Sequence, residues 1–372
     1  MTSPPLRVGI ISAAWGAKAH LPAWRSLDGI EVTAICTSRP ETAAKAAADY
    51  GVARAFHDFR EMAADPEIDI VDCGTRPPLR YEMVMAALGA GKHVYNGIPF
   101  AKDCADARAM ADAWRRTGTV AVVDAFMQAV PAMVQMKAMI DADWIGDVFG
   151  ADVAFEIPLF SAAQTNVPAY VWFADPANGA SAGRNLGSHM LNLLVHFFGP
   201  VASVASDMSL ALKEWPLDGG IIRPEVPDRA SMLLRHASGL PTRVEANWCQ
   251  IGGDGFRFSA WGSKGRIEAR APVFPMAHDT RLFGTCNPAL GSAAIEEIAI
   301  EPEYLAVPGC HAVASRPETG LLALASIFAA MRDAINGKGT AAPDFAQALH
   351  VQEVVEAAVT ANSERRWIDL FA

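Results

Sequence analysis

The sequence predicts an α/β protein whose first half is a doubly wound parallel sheet, and three observations carry the prediction. Short strand-like runs recur at Val8 to Ile11, Glu31 to Cys36, Ile68 to Cys73, Lys92 to Tyr95 and Val120 to Val123, each followed by a segment of helix length. Strands that alternate with helices at this spacing imply a parallel sheet. The first run breaks at small residues directly before a helical pattern near Gly16, so a buried strand, a tight turn and a helix N-terminus fall within Leu6 to Pro22. The second half changes character: strands joined by turns at Met232 to Leu234, Thr242 to Trp248, Phe256 to Trp261 and Gly265 to Ala269 precede long helices at Leu321 to Ile335 and Phe345 to Ser363.

Unpaired amides in a first helical turn, with no bulky side chain over them, can hold a pyrophosphate. The pattern G-x-G-x-x-G/A laid over Ser12-Ala13-Ala14-Trp15-Gly16-Ala17 finds Ser12 and Ala14 in place of glycines and Ala17 where alanine is allowed. Ser12 can still turn the chain. The Ala14 methyl stands where backbone and pyrophosphate should meet, which leaves phosphate contact looser or carried by Gly16. Ser12, Ala14, Trp15 and Gly16 are therefore candidate dinucleotide contacts, against the alternative of a buried strand and turn that bind nothing.

The first helix is expected to run to about Leu27. The second strand ends at Thr37-Ser38-Arg39-Pro40-Glu41. At this place an acidic residue selects NAD by its ribose hydroxyl and an arginine selects the 2′-phosphate of NADP. Ser38 and Arg39 offer a hydroxyl and a guanidinium suited to phosphate, and NADP is the expected cofactor, with NAD as the alternative. The competing reading makes Ser38 the cap of the helix that starts at Pro40 and leaves Arg39 solvated. Helices follow around Asp58 to Ala64, Leu79 to Ala90 and Ala105 to Arg116. Ligand sites lie beyond the carboxyl ends of such strands. Those ends add Thr75 and Pro77, within Gly74 to Pro78, and Asn96 to Pro99.

Composition bounds the function. With 372 residues and 51% hydrophobic content, at a mean hydropathy of +0.16, the chain can bury two large cores. A net charge of −10, a pI near 5.4 and the lack of a basic run argue against nucleic acid. The first strand begins within a few residues of the start and no apolar stretch approaches the ~18 residues of a membrane span, so a soluble cytoplasmic protein without a signal peptide is expected. Cys36, Cys73, Cys104, Cys249, Cys286 and Cys310 form no CxxC pair and are expected to be reduced and mostly structural. No metal-ligand cluster is visible.

The series RVGII…AHLPAW, AICTSRPETA, IDIVDCGTRPPLRYEMVMAALGAGKHVYNGIPFAKD and VFGADVAF resembles the Gfo/Idh/MocA oxidoreductases, named for glucose–fructose oxidoreductase and inositol dehydrogenase, with AALGAGKHV…P-x-A the most diagnostic stretch. The resemblance implies an N-terminal Rossmann domain, here 1–126, and a C-terminal α/β domain, here 127–372, built on a large, open, mainly antiparallel sheet. It also implies hydride transfer between NAD(P) and a sugar, cyclitol or related small molecule. In the family the open face of that sheet usually forms the subunit interface, so a homodimer or homotetramer is expected. The chain departs from the family where Glu-Lys-Pro is usual: Gly97-Ile98-Pro99 stands there, and Ile98 cannot donate, accept or carry charge. Arg80 occupies the slot of the histidine that usually follows the third strand, and Lys102 lies beyond the motif.

Residues 161–183, with Tyr170, Trp172 and the turn-rich Asp175 to Gly179, suit either a loop shaping a substrate pocket or surface packing by aromatics. The stretch Gly183 to Asn192 resembles the family's D-x-G-x-H-x-x-D motif: His189 matches the histidine, and Asn185 and Asn192 replace both aspartates. His189, with a reference pKa of ~6.5, is the titratable group expected to move the substrate proton. Asn192 and Asn96 would orient substrate or nicotinamide by neutral hydrogen bonds, and Tyr170, Trp172 and Asn185 would line the substrate. His196 reads as a core residue. The expectation is thus an oxidoreductase of a sugar, polyol or related hydroxy or carbonyl compound, the alternative a dinucleotide- or ligand-binding regulatory protein that has lost turnover.

Overall fold

The computed structural model describes residues 4–161, 168–217, 220–286 and 294–370. They divide into two compact units, Met1–Ala129 with Leu305–Leu349 and Val130–Tyr304 with His350–Ala372. The first unit contains a six-stranded sheet of β1 (Leu6–Ile11), β2 (Ile30–Cys36), β3 (Arg54–Phe56), β4 (Ile70–Cys73), β5 (His93–Asn96) and β6 (Ala121–Val123). All pairs are parallel and the order is β3-β2-β1-β4-β5-β6, so the winding reverses between β1 and β4. The five expected strands are present. The edge strand β3 was not foreseen, because three residues carry no readable alternation.

The helices between them are α1 (Leu21–Arg25), α2 (Pro40–Tyr50), α3 (Phe59–Ala64), α4 (Pro77–Gly89) and α5 (Cys104–Arg115). Pro40 and Pro77 open α2 and α4, where a missing N–H costs nothing. Asp58 and Asp103 open α3 and α5 by accepting the N–H of Arg60 and of Asp106. The helix after β1 begins as a wide turn over Gly16–His20 with Leu21 N–H bonded to Gly16 O. Pro22 has no N–H to give Lys18 O, so the ordinary spacing cannot continue across this point.

The second unit opens with α6 (Pro131–Asp141), β7 (Val148–Glu156), α7 (Ser188–Phe198), β8 (Val201–Ser209) and the ribbon of β9 (Trp215–Leu217) and β10 (Gly220–Ile222). There follow β11 (Arg229–His236), β12 (Pro241–Asn247), β13 (Gly255–Gly262), β14 (Arg266–Ala271), β15 (Arg281–Thr285) and β16 (Glu296–Ile298); the chain then passes through α8 (Leu322–Ile335), which belongs to the first unit, and α9 (Phe345–Glu364), which begins there, before β17 (Ile368–Asp369) closes the second. A nine-stranded sheet runs β16-β15-β14-β13-β7-β12-β11-β8-β17, antiparallel except where β12 lies parallel to β7. Met232, Leu234, Val244, Phe258 and Ile267 are buried on one face. The other face is charged rather than apolar: Arg243 pairs with Asp152 at 2.7 Å, Arg229 with Asp207 at 2.7 Å and Arg281 with Glu297, while the fully buried Glu268 lies between Arg266 and Arg270.

The division of the chain differs from the expected boundary after residue 126. The chain leaves the first unit at Ala129, and Leu305–Leu349, expected in the second, returns to it. Phe328 of α8 stacks on Trp24 with ring centroids 3.6 Å apart, Val123 N–H bonds Pro343 O at 2.9 Å, and Phe345 packs in the same apolar cluster as Val94, Phe100 and Met110. An amphipathic helix announces that it will cover an apolar surface, but not which one.

At the centre of the first unit lies an ion cluster. His20 Nδ1 is 3.0 Å from both carboxylate oxygens of Asp72, and Nε2 is 3.3 Å from Asp124. Trp24 Nε1 donates to Asp72 at 2.9 Å and the Tyr95 hydroxyl to Asp124 at 2.8 Å. A neutral imidazole has one N–H, so carboxylates at both ring nitrogens require the doubly protonated ring. Burial alone would push the His20 pKa down; Asp72 and Asp124 more than reverse this and hold it at about 10. The folded value lies above the unfolded one of ~6.5, so the cluster's contribution is fully present below about pH 6.5 and is lost as pH rises through 10. His20→Gln leaves two carboxylates buried without their cation and should cost about 3–5 kcal/mol. Denaturant midpoints between pH 6 and 10 check both points: the wild type should lose stability with rising pH, and the variant should start lower and lose this component of the slope.

Candidate nucleotide and catalytic site

In the first unit the carboxyl ends of β1, β2, β4 and β5 carry the residues singled out for the cofactor. Beyond β1, Ser12 is buried and its Oγ accepts the N–H of Ala14 at 3.0 Å, so the hydroxyl in the first glycine's place ties down an amide of the turn. Gly16 is also buried. A Cβ there would stand 2.9 Å from Ser12 Cβ and 3.2 Å from Ile10 Cγ2, and a Cβ on Gly74 would stand 3.2 Å from Gly16 Cα. Gly16 thus serves the close approach of helix and strand. The turn itself presents Ala13, Ala14 and Trp15, all exposed.

Beyond β2, Ser38 and Arg39 are exposed. Arg39 occupies the cap position of α2, with φ −144° and no side-chain cap bond, while Thr37 Oγ1 meets Thr42 Oγ1 at 2.6 Å and Thr42 Oγ1 donates to Arg39 O at 3.0 Å. The threonines hold this opening, so Ser38 is not the cap, and among the described residues neither Ser38 nor Arg39 uses its side chain in a hydrogen bond or ion pair.

The ends of β4 and β5 are bound by Arg80, whose Nε donates to Thr75 O at 2.6 Å, Nη1 to Pro99 O and Nη2 to Ile98 O at 3.4 Å. Thr75 Oγ1 is turned to Met83 Sδ at 3.3 Å, and Pro77 is buried in the first turn of α4. Asn96 is fully buried; its amide nitrogen donates to Phe100 O at 3.0 Å, and its Oδ1 has no hydrogen-bond partner among the described residues. The Ile98 side chain packs against the apolar cluster of this unit. Lys102 Nζ is 3.3 Å from Asp106 and 3.9 Å from Asp103, so the nearby ammonium is already paired.

In the second unit the stretch from Gly183 to Gly187 leads into α7, with Asn185 Oδ1 accepting the N–H of Ser181 at 3.2 Å and Arg184 clamped on Glu356, Nη2 to Oε2 at 2.7 Å. His189, the second residue of α7, is half-buried, its ring edge-on to Phe274 at 5.1 Å. Asn192 is fully buried and donates to Ser188 O at 2.9 Å, inside its own helix. Tyr170 and Trp172 pack on Phe173 at 5.2 and 4.3 Å, and Phe173 stacks on the buried Trp248, which places the pair at the edge of an aromatic cluster. Burial, with Lys137 nearby, pushes the His196 pKa down, as suits a core residue.

Reading the residues in order missed His20, Asp72 and Asp124. The available signal was an ionisable residue inside each of three apolar runs, AHLP, IVDC and VVDA. No local pattern says that they meet.

A parallel six-stranded sheet with its turn and exposed arginine beyond the strand ends is the arrangement of the dinucleotide-binding proteins. Comparison with known proteins makes this specific. Residues 6–125 match the family model described as oxidoreductase family, NAD-binding Rossmann fold, and residues 133–268 match the GFO/IDH/MocA C-terminal domain. The chain belongs to the Gfo/Idh/MocA oxidoreductase family. Levoglucosan dehydrogenase of Pseudarthrobacter phenanthrenivorans is 24% identical over 98% of this chain and 98% of its own, and D-apiose dehydrogenase of Paraburkholderia graminis is 28% identical over 64% and 60%. A solved levoglucosan dehydrogenase in complex with NADH and L-sorbose superposes with a TM-score of 0.86 at 23% identity, covering 99% of each chain. No helix among the described residues is long and apolar enough to cross a membrane.

The contacts of Gly16 give a first check on the turn. Gly16→Ala should force the added methyl onto Ser12 and Ile10, costing about 1–3 kcal/mol, and a thermal melt should show the loss. An unchanged unfolding midpoint would mean that helix and strand are not so closely packed.

Proposed function

We propose that the protein transfers hydride between a nicotinamide cofactor, with NADP preferred, and a sugar, polyol or related small hydroxy or carbonyl compound, with His189 carrying the proton. The observation that supports the chemistry is His189 itself: in the position of the family's motif histidine it is half-buried, at the opening of a helix whose start is anchored by Arg184 on Glu356. Hydride does not leave an un-ionised alcohol readily, and a positioned base is worth ~10²–10⁴ in rate. The cofactor, when bound, supplies the hydride acceptor or donor; His189 takes or returns the substrate's proton. Ile98 has no polar group for this, and Asn185 and Asn192 do not titrate.

The NADP preference rests on Arg39, exposed and unpaired among the described residues at the end of β2, beside the exposed Ser38. Calorimetric titration should show NADP(H) binding more tightly than NAD(H), and Arg39→Ala should remove most of the difference; equal affinities in the wild type would refute the assignment. His189→Ala should lower turnover roughly 10²–10⁴-fold with cofactor affinity nearly unchanged. Absorbance of reduced nicotinamide across a panel of polyols, sugars and aldehydes reads this, and wild-type turnover in the variant would sink the role of His189.

A second reading has one specific observation in its favour. The Ile98 side chain packs against the apolar cluster and the neighbouring Lys102 is paired with Asp106, so that lysine does not stand in for the missing one. A chain that binds nucleotide but turns over no member of the panel would be a regulatory binder. In either case we propose a cytoplasmic homodimer or homotetramer. Its contact would be the charged face of the nine-stranded sheet, where ion pairs can meet a second copy of themselves. Light scattering at micromolar concentration should return a multiple of the 39.6 kDa chain mass, and less of it as salt is raised.

A further inference from the structure

Arg80 is 5% exposed and sits in the first turn of α4, where the helix dipole disfavours a cation. Its bonded acceptors, Thr75 O, Ile98 O and Pro99 O, are all neutral carbonyls. Among the described residues no carboxylate lies within ion-pair distance of it, and Asp124 acts on it only through space. Burial lowers its pKa to about 10, which still leaves it charged at neutral pH. A buried guanidinium of this kind is costly unless its position is useful.

Gly97, between the strand end and the bonded carbonyls, shows what that position requires. A Cβ at 97 would stand 2.7 Å from both the guanidinium carbon and Nη2 of Arg80. A side chain there would require the guanidinium, held by three carbonyls, to shift. The Gly97 and Arg80 departures are therefore a single steric arrangement, and Ile98 contributes its carbonyl to it while its side chain turns to the apolar cluster.

We infer that Arg80 is a positioning residue that sets the spacing of the two strand-end loops, that Gly97 is its close-packed partner, and that together they hold a fixed positive charge at the crevice which favours the uncharged reduced nicotinamide over the cationic oxidised ring. The charge part of this rests on the dinucleotide reading above; the steric part does not. Both nucleotide forms carry the same phosphates, so attraction between Arg80 and phosphate cancels in the ratio of their dissociation constants, and only the ring charge remains.

The experiment has two arms on the full chain. In the first, NADP⁺ and NADPH are titrated calorimetrically into wild type, Arg80→Met and Arg80→Lys. Arg80→Met should lower the Kd ratio of oxidised to reduced form by roughly three- to tenfold. Arg80→Lys, which keeps the charge but not the planar fork, should keep the ratio and weaken both forms. An unchanged ratio in Arg80→Met overturns the charge assignment, as does a wild type that binds neither nucleotide, which would refute the dinucleotide reading with it. In the second arm, thermal unfolding compares Gly97→Ala in the wild type and in Arg80→Ala. The expected result is a lowered midpoint in the wild-type background and almost no effect in the other. An equal loss in both backgrounds overturns the coupling whatever the titrations show.

Discussion

The first unit is organised around a cation that cannot leave. His20 lies between Asp72 on β4 and Asp124 after β6, and each carboxylate takes a further hydrogen bond, from Trp24 and from Tyr95. The imidazolium thereby fixes the helical segment after β1 to the middle and far side of the sheet, and the phosphate turn is the start of that segment. Removing the imidazole would leave two carboxylates buried without their cation. The ring cage of Trp24, Tyr95 and Phe328 around it excludes solvent and brings α8, which follows the second unit's strands in the chain, back onto the first unit.

Arg80 stands in the same unit under the same constraint. His20 and Arg80 are positive and Asp72 and Asp124 negative, so the buried groups balance. The balance is uneven in space: the carboxylates are bonded to His20, and Arg80 is left with carbonyls at the strand ends. The family's lysine is absent from the sequence, yet a fixed positive charge is present nearby in the fold, carried by a helix instead of a loop. Charge is handled differently in the second unit, where the pairs on the open sheet face are exposed and each contributes little by itself. Glu268, fully buried between Arg266 and Arg270, is the exception.

Much of the architecture was legible from periodicity. The five strand runs, the helices between them and the two C-terminal helices stand where the alternation of apolar residues placed them, because β-branched runs and helical stripes are local properties. Strands β3, β8, β9, β10, β15, β16 and β17 were not foreseen: most have only two to five residues, and burial along the nine residues of β8 does not alternate. The candidate site was legible in part. The turn at Ser12, the basic end of β2 and the motif histidine were found by position, but the bonding that decides what each side chain is free to do was not. Ser12 holds an amide, Gly16 packs, Asn192 folds back on its helix, and Thr37 with Thr42, not Ser38, secures α2.

By itself the sequence determined the fold class, the family and the chemistry that the substituted motif positions exclude, because residue type and local spacing are enough for each. Tertiary structure decided which groups meet. Three ionisable residues at positions 20, 72 and 124 became one buried ion cluster, an arginine and a glycine at 80 and 97 became one packing unit, and Leu305–Leu349 was assigned to the unit its rings could cover. These outcomes depend on distances between residues far apart in the chain. No spacing in the sequence encodes them, since burial and the loss of competing water are created only when the sheet has formed.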